Sequence, residues 1–335
     1  MASILITGAS GFIGSFIVEE ALRRRFSVWA GVRASSSKKY LSDEKVQFLE
    51  LNFAHPHALR AQLAEHQKTR GKFDYIVHCA GVTKCKDKQE FDRVNYLQTK
   101  SFVDLLGELE MVPKQFIYLS TLSVYGPVRE HDYSPIRDSD TPAPNTAYGL
   151  SKLKAERYIQ SIPGFPYVIY RPTGVYGPRE TDYFLMAKSI QSHLDFSVGF
   201  RRQDITFIYV KDIVQAIFLG IEKEISGRAY FLADGKVYQS RTFSDLIQKE
   251  LGSPFVIHLK CPLIVLKAIS LLAEFAASLF GKSSTLNSDK YKIMKQRNWQ
   301  CDTAPVIDEL GFTPQYDLER GVKETIAWYK KEGWL

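Results

Sequence analysis

Residues 7–14, Thr-Gly-Ala-Ser-Gly-Phe-Ile-Gly, constrain this chain more than any other stretch, because they set three glycines between an apolar strand and a helix. Ile4, Leu5 and Ile6 form a short apolar run suited to a strand buried on both faces, and Phe12, Ile13, Phe16, Ile17 and Ala21 recur at helical spacing. Gly8 suits a tight turn, Gly11 lets the backbone approach a pyrophosphate, and Gly14 lets the helix pack closely on the strand. Together with Ser10, Phe12 and Ile13, this turn would offer N–H groups at the positive end of the helix to an anion. Turns also collect glycine for purely structural reasons. The strand before and the helix after favour the phosphate-binding reading.

Further strands are expected over residues 26–32, 46–51, 73–78, 116–119 and 167–170, with helical patterns at 56–67 and 91–109 between them. Strand, helix, strand, helix predicts an α/β protein with a doubly wound parallel sheet of the Rossmann type, whose ligands gather at the carboxyl ends of the strands. The alternation fades after Pro178 and returns briefly near 205–235. Residues 1–177 with about 205–235 are therefore expected to form the cofactor domain, and about 178–204 with 236–335 a smaller C-terminal α/β substrate lobe.

The second strand ends at Arg33, followed by Ser35, Ser36, Ser37, Lys38 and Lys39. An acidic residue here binds the ribose 2′-hydroxyl of NAD, whereas an arginine accommodates the 2′-phosphate of NADP, so NADP is expected ahead of NAD. A solvated loop of ordinary composition is the alternative. The fourth strand ends in His78, read as structural because it lies inside the strand pattern, and then in Cys79, Ala80 and Gly81, small enough for a backbone passing a cofactor.

Tyr148 and Lys152 are four residues apart and share one face of a helix. A phenol with a pKa near 10 is a poor acid–base group at neutral pH until a neighbouring ammonium favours its anion, and Lys152 supplies one. A surface tyrosine and lysine would give the same spacing. Hydroxyls follow the fifth strand at Ser120, Thr121 and Ser123, leading to Val124, Tyr125 and Gly126.

These motifs together resemble the extended short-chain dehydrogenase/reductases of the NAD-dependent epimerase/dehydratase family, in the branch that holds 3β-hydroxysteroid dehydrogenases and dihydroflavonol reductases. The resemblance takes in nearly the whole chain, including Arg171-Pro172 and residues 309–314 and 318–321. It implies hydride transfer between a nicotinamide and an alcohol or ketone carbon, with Thr121 holding the oxygen, Tyr148 moving the proton and Lys152 binding the ribose. It implies that Asn95 steadies the site, that Asn52 and Phe53 lie beside the adenine, where similar proteins carry Asp-Leu, and that Ala80, Gly81 and Pro172 line the cofactor. Ser123, Tyr125 and Arg179 become substrate candidates, and a homodimer is implied.

Two departures bear on the substrate. Sugar dehydratases of the group carry Asp-Glu where this chain has Leu122-Ser123, which argues against dehydration. Nucleotide-sugar epimerases carry an arginine aligned with Ile205, although Arg201 or Arg202 could serve from a shifted loop. An epimerase is the alternative enzyme, and a cofactor-sensing binding protein the alternative from outside catalysis.

A hydrophobic content of 45%, a charged content of 24% and a net charge of +7 spread along the chain fit a globular protein with a small anionic partner, and exclude nucleic acid as the expected one. Cys79, Cys85, Cys261 and Cys301 form no C-x-x-C pair, so neither a metal site nor an oxidising compartment is expected. The first strand follows Met1 without a secretion signal, which predicts a cytoplasmic protein. Residues 262–280 are apolar enough to suggest a bilayer span, yet Lys267 and Glu274 share a face. An amphipathic helix covering a hydrophobic pocket or a subunit interface is expected there, with peripheral membrane contact as the alternative.

Overall fold

The computed structural model describes residues 1–279 and 286–335. Strand β1 (Ser3–Thr7) leads into α1 (Phe12–Arg23), followed by β2 (Ser27–Val32), β3 (Gln47–Glu50), α2 (Pro56–Arg70) and β4 (Tyr75–His78). Next come α3 (Lys88–Phe91), a π-helical turn over Asp92–Leu97, α4 (Gln98–Glu108), β5 (Gln115–Leu119), α5 (Ala147–Ser161) and β6 (Tyr167–Pro172). The chain continues through β7 (Gly174–Tyr176), α6 (Asp182–Gln191), β8 (Leu194–Val198), β9 (Asp204–Ile205), β10 (Phe207–Tyr209), α7 (Val210–Glu222) and β11 (Arg228–Leu232). It closes with β12 (Tyr238–Gln239), α8 (Thr242–Glu250), β13 (Ile257–Cys261), α9 (Leu263–Leu279), α10 (Ser288–Lys295), α11 (Ala304–Leu310) and α12 (Leu318–Lys331).

Seven strands form one sheet in the order β11-β6-β5-β4-β1-β2-β3, the doubly wound order expected from the alternation. β3, β2, β1, β4, β5 and β6 run parallel. Chain order reverses across β1 and β4, which pair with Thr7 opposite His78, so the segments leaving these two strands open the crevice in which such sheets bind ligands. Leu5, Ile76, Phe116 and Ile169 of the sheet pack against Leu63, Phe102 and Ile159 of the helices, all essentially inaccessible. Burial of each such side chain contributes roughly 1.5–3 kcal/mol.

The chain divides into two compact units. The first comprises Met1–Thr121, Ala147–Arg171 and Val214–Tyr230, and contains nearly all of the sheet. The second comprises Leu122–Thr146, Pro172–Ile213 and Phe231–Leu335. Its strands pair two by two, β7 with β10, β8 with β13 and β9 with β12, around an aromatic core in which Tyr176 meets Tyr209 and Phe243 edge-on. Within α9, Leu266 and Ser270 are buried, whereas Ile264, Leu272 and Phe275 are exposed. Phe280, at the end of the apolar stretch 262–280, lies outside the described residues. Among the described residues no helix is long and apolar enough to cross a membrane.

Candidate active site

The turn after β1 is shaped by its glycines. Gly8 adopts φ +67°, and a Cβ there would lie 2.9 Å from the backbone nitrogen of Ala80, so only glycine meets both demands. A Cβ on Gly14 would lie 2.2 Å from the Gly8 carbonyl oxygen: this glycine lets the helix pack on the turn itself, where the sequence suggested the strand. Gly11 donates its N–H to the Gly8 carbonyl at 2.9 Å and caps α1 with no side-chain acceptor and no acidic residue in the first turn. Gly11 is exposed, and Ser10, Phe12 and Ile13 are partly buried around it. A helix start served by no side chain, beside a turn that rejects a Cβ, fits the pyrophosphate of a dinucleotide.

At the end of β2, Arg33 is exposed and its backbone N–H donates to the Ser36 hydroxyl at 3.0 Å, which folds the serine loop back on itself. Lys38 lies 4.2 Å above the Phe48 ring. After β3, the Asn52 backbone N–H donates to Gln62 at 2.9 Å, and Phe53 packs edge-on against His78 and Phe102. Phe53 thus braces the core with part of its ring.

His78 is buried and structural, as its place in the strand suggested. Thr99 donates its hydroxyl to the Asn95 carbonyl at 2.9 Å, so it accepts from His78 Nε2 at 3.0 Å. His78 Nδ1 then accepts from the Thr7 hydroxyl at 2.8 Å, and Thr7 accepts from the Ala80 N–H at 3.2 Å. This order of donors assigns the ring proton to Nε2. Burial, assisted by the Lys152 charge, lowers the imidazole pKa to about 3, so the ring is neutral.

Asn95 lies on the π-turn and is wholly inaccessible. Its side chain accepts from the Val82 N–H at 2.8 Å and donates to the Val82 carbonyl at 3.0 Å and to the Ser151 hydroxyl at 3.1 Å. The segment leaving β4 is thereby tied to the helix that carries Tyr148. Gly81 sits within this tie: a Cβ there would lie 2.9 Å from Asn95 Oδ1 and 3.5 Å from Lys152 Nζ.

Tyr148 and Lys152 occupy α5, facing the end of β5. Thr121 and the partly buried Tyr148 phenol are hydrogen-bonded, and the Phe91 ring meets Tyr148 edge-on at 5.9 Å. Burial pushes the phenol up to about 12, opposed by the bond with Thr121. Lys152 is buried, donates to the Leu119 carbonyl at 2.9 Å and lies 4.7 Å over the Tyr118 ring. Burial lowers the amine to about 8, with Cys79 and Glu156 opposing the shift. The sequence suggested an ammonium acting on the phenol; here burial governs Tyr148, and the carboxylate acting on the Lys152 charge is that of Glu156. The Ser120 hydroxyl is buried and makes no hydrogen bond to any of the described residues.

Sequence reasoning missed Glu156. It lies one turn beyond Lys152, is fully buried, and takes Arg171 Nη2 at 2.7 Å and Nε at 3.0 and 3.2 Å. The spacing from Lys152 was the available signal, but the partner on β6 was not. This pair fastens α5 to the sheet.

The remaining candidates belong to the second unit. Pro172 is buried. Ser123 is partly buried, while Tyr125 is buried, donates to Asp138 at 3.2 Å and meets the Phe231 ring edge-on. Arg179 takes a left-handed backbone, φ 76°. Ile205 pairs with Tyr238, and Arg202 holds Asp204 through two bonds of 2.6 Å, so Arg202 is committed within its own loop. Among the described residues no cluster of His, Cys, Asp or Glu could hold a metal ion.

Residues 4–233 match the model of the NAD dependent epimerase/dehydratase family. A sterol-4-alpha-carboxylate 3-dehydrogenase (decarboxylating) of Candida albicans is 23% identical, over 99% of this chain and 99% of that protein. A putative UDP-glucose 4-epimerase of Methanocaldococcus jannaschii is 22% identical, over 98% of each. Among solved structures, a dTDP-glucose 4,6-dehydratase from Bacillus anthracis in complex with NAD superposes with a TM-score of 0.77 at 19% identity, covering 100% of this chain and 98% of that one.

Proposed function

We propose, from the premise that this chain belongs to the NAD dependent epimerase/dehydratase family of extended short-chain dehydrogenase/reductases, that it is an oxidoreductase interconverting an alcohol and a ketone. The bound nicotinamide dinucleotide supplies or accepts the hydride at its C4. The turn at Gly8, Gly11 and Gly14 holds the pyrophosphate, and Asn95 fixes Gly81 against the cofactor. Lys152, oriented by the Leu119 carbonyl, binds the nicotinamide ribose. Thr121 holds the substrate oxygen, and Tyr148 gives that oxygen its proton on reduction and takes it back on oxidation. The observation that carries this reading is the Thr121–Tyr148 hydrogen bond one helical turn from a buried, anchored Lys152. Replacing Tyr148 by Phe is expected to lower NADPH-dependent reduction of a carbonyl panel by roughly 10²–10⁴-fold with dinucleotide affinity nearly intact. Unchanged turnover would remove the mechanism.

NADP is the proposed dinucleotide because the exposed residue that follows β2 is Arg33, a type that accommodates a 2′-phosphate, and not an acidic one. Arg33→Ala is expected to weaken NADPH roughly tenfold or more, the worth of one charge-assisted bond, while leaving NADH nearly unchanged. Equal losses in a titration would assign NADPH no contact with this side chain.

A second reading, a sugar epimerase that oxidises and re-reduces one substrate on a tightly held cofactor, is favoured by the relative named as a UDP-glucose 4-epimerase. Dinucleotide retained through purification, with no net oxidation of added NADPH, would select it. The loop Arg202 is already engaged with Asp204, which weighs against its gripping a diphosphate.

A further inference from the structure

Helix α9 reverses the usual order of a surface helix. Leu266 and Ser270 face inward, and Glu274 accepts from the Ser288 N–H at 2.9 Å. At 100° per residue, Ile264, Ala268, Leu271, Leu272 and Phe275 fall on an adjoining outward arc, with Ile264 84% and Leu272 68% exposed. Lys267 flanks this arc. The strand that feeds α9 continues the pattern: Leu259 of β13 pairs with Phe196 of β8, and both are exposed. Beyond β8, the Gly199 N–H donates to the Cys261 carbonyl at 2.9 Å, which sets the 72% exposed Phe200 beside the start of α9. A cavity of about 470 Å³ is lined by Phe200, Arg201, Leu263, Ile264 and Lys295 among others.

We propose that this face of the second unit docks on the surface of an anionic bilayer, with α9 lying in the headgroup plane. Single exposed apolar side chains are ordinary, but a helix and a neighbouring strand pair that both turn aromatic and aliphatic groups outward mark a site of association. Charge selects the occupant. Arg201, Lys267 and Lys295 fringe the apolar residues, and among the described residues none of the three forms an ion pair. Glu130, also at the cavity, accepts from the Arg297 N–H at 2.7 Å. An apolar face ringed by unneutralised cations suits acyl chains below and anionic headgroups around, with Lys267 reaching up beside the helix.

Flotation of the full chain with vesicles tests this. The protein is expected to float with phosphatidylcholine vesicles containing phosphatidylserine, less with phosphatidylcholine alone, and less at high salt. The double variant Leu272→Glu/Phe275→Glu is expected to stay at the bottom of the gradient while melting and binding dinucleotide as the parent does. Lys267→Gln and Lys295→Gln are each expected to weaken binding about fivefold. Absence of flotation with either vesicle, or flotation untouched by these variants, overturns the proposal. So does a stable dimer in light scattering that the double variant dissociates without any vesicle binding, since the face would then join two copies.

Discussion

Helices α5 and α9 break the same rule in opposite directions. α5 turns polar groups inward, burying Ser151, Lys152 and Glu156, and each finds a partner: the Tyr148 carbonyl, the Leu119 carbonyl and the Arg171 guanidinium. α9 turns apolar groups outward and leaves Ile264, Leu272 and Phe275 facing water. A buried polar group without a partner costs the fold several kcal/mol, about 1–3 by protein mutation, whereas an exposed apolar one costs little. The first arrangement binds the site's geometry to the stability of the fold, and the second separates them.

The largest break in that contrast should come at Glu156. Glu156→Leu strands the Arg171 charge in the interior and is expected to destabilise the protein by about 3–5 kcal/mol, read from denaturant unfolding. Adding Arg171→Met should recover most of the loss, because an apolar pair of similar volume needs no partner. No recovery would mean that the pair's shape, not its charge, holds α5.

A smaller effect of opposite sign is expected at Lys152. Its folded pKa of about 8 lies below the ordinary lysine value of 10.5, so the unfolded chain binds more protons between these limits. Stability therefore rises as pH climbs through that window, and below it the full burden of the buried charge is present. Lys152→Met should stabilise the protein by about 1–3 kcal/mol at pH 7, with the advantage gone above the ordinary lysine pKa, while turnover is lost. A stabilisation independent of pH would mean that charge burial is not its source. The smallest effect belongs to α9: Leu272→Glu/Phe275→Glu should move unfolding free energy by no more than about 0.5 kcal/mol. A larger loss would place these side chains in the core after all.

Much of this was legible in the sequence. Buried strands announce themselves as apolar runs, and so β1, β4 and β5 could be located from Ile4, Ile76 and Phe116 and their neighbours. The spacing of Tyr148 and Lys152 sufficed because a helix makes four residues a neighbour relation. What stayed hidden was long-range or sub-periodic. Residues 91–109 read as one continuous helix, and nothing in an apolar repeat marks the π-turn that brings Asn95 inward. The link between Glu156 and Arg171 joins a helix to a strand, and the capture of Arg202 by Asp204 depends on loop shape. In α9 the shared face of Lys267 and Glu274 was visible, but not that Glu274 would turn toward the Ser288 N–H and send the hydrophobic arc outward.

The double contact of Asn95 with Val82 has a chemical consequence. Its carboxamide meets one main-chain donor and one main-chain acceptor, as a neighbouring strand would, so a single side chain stands in for a rung of sheet. Deamidation would scarcely alter its outline, yet it would set a carboxylate oxygen against the Val82 carbonyl and repel the segment it now holds. Loss of this one interior nitrogen would therefore loosen the segment leaving β4 before any unfolding began.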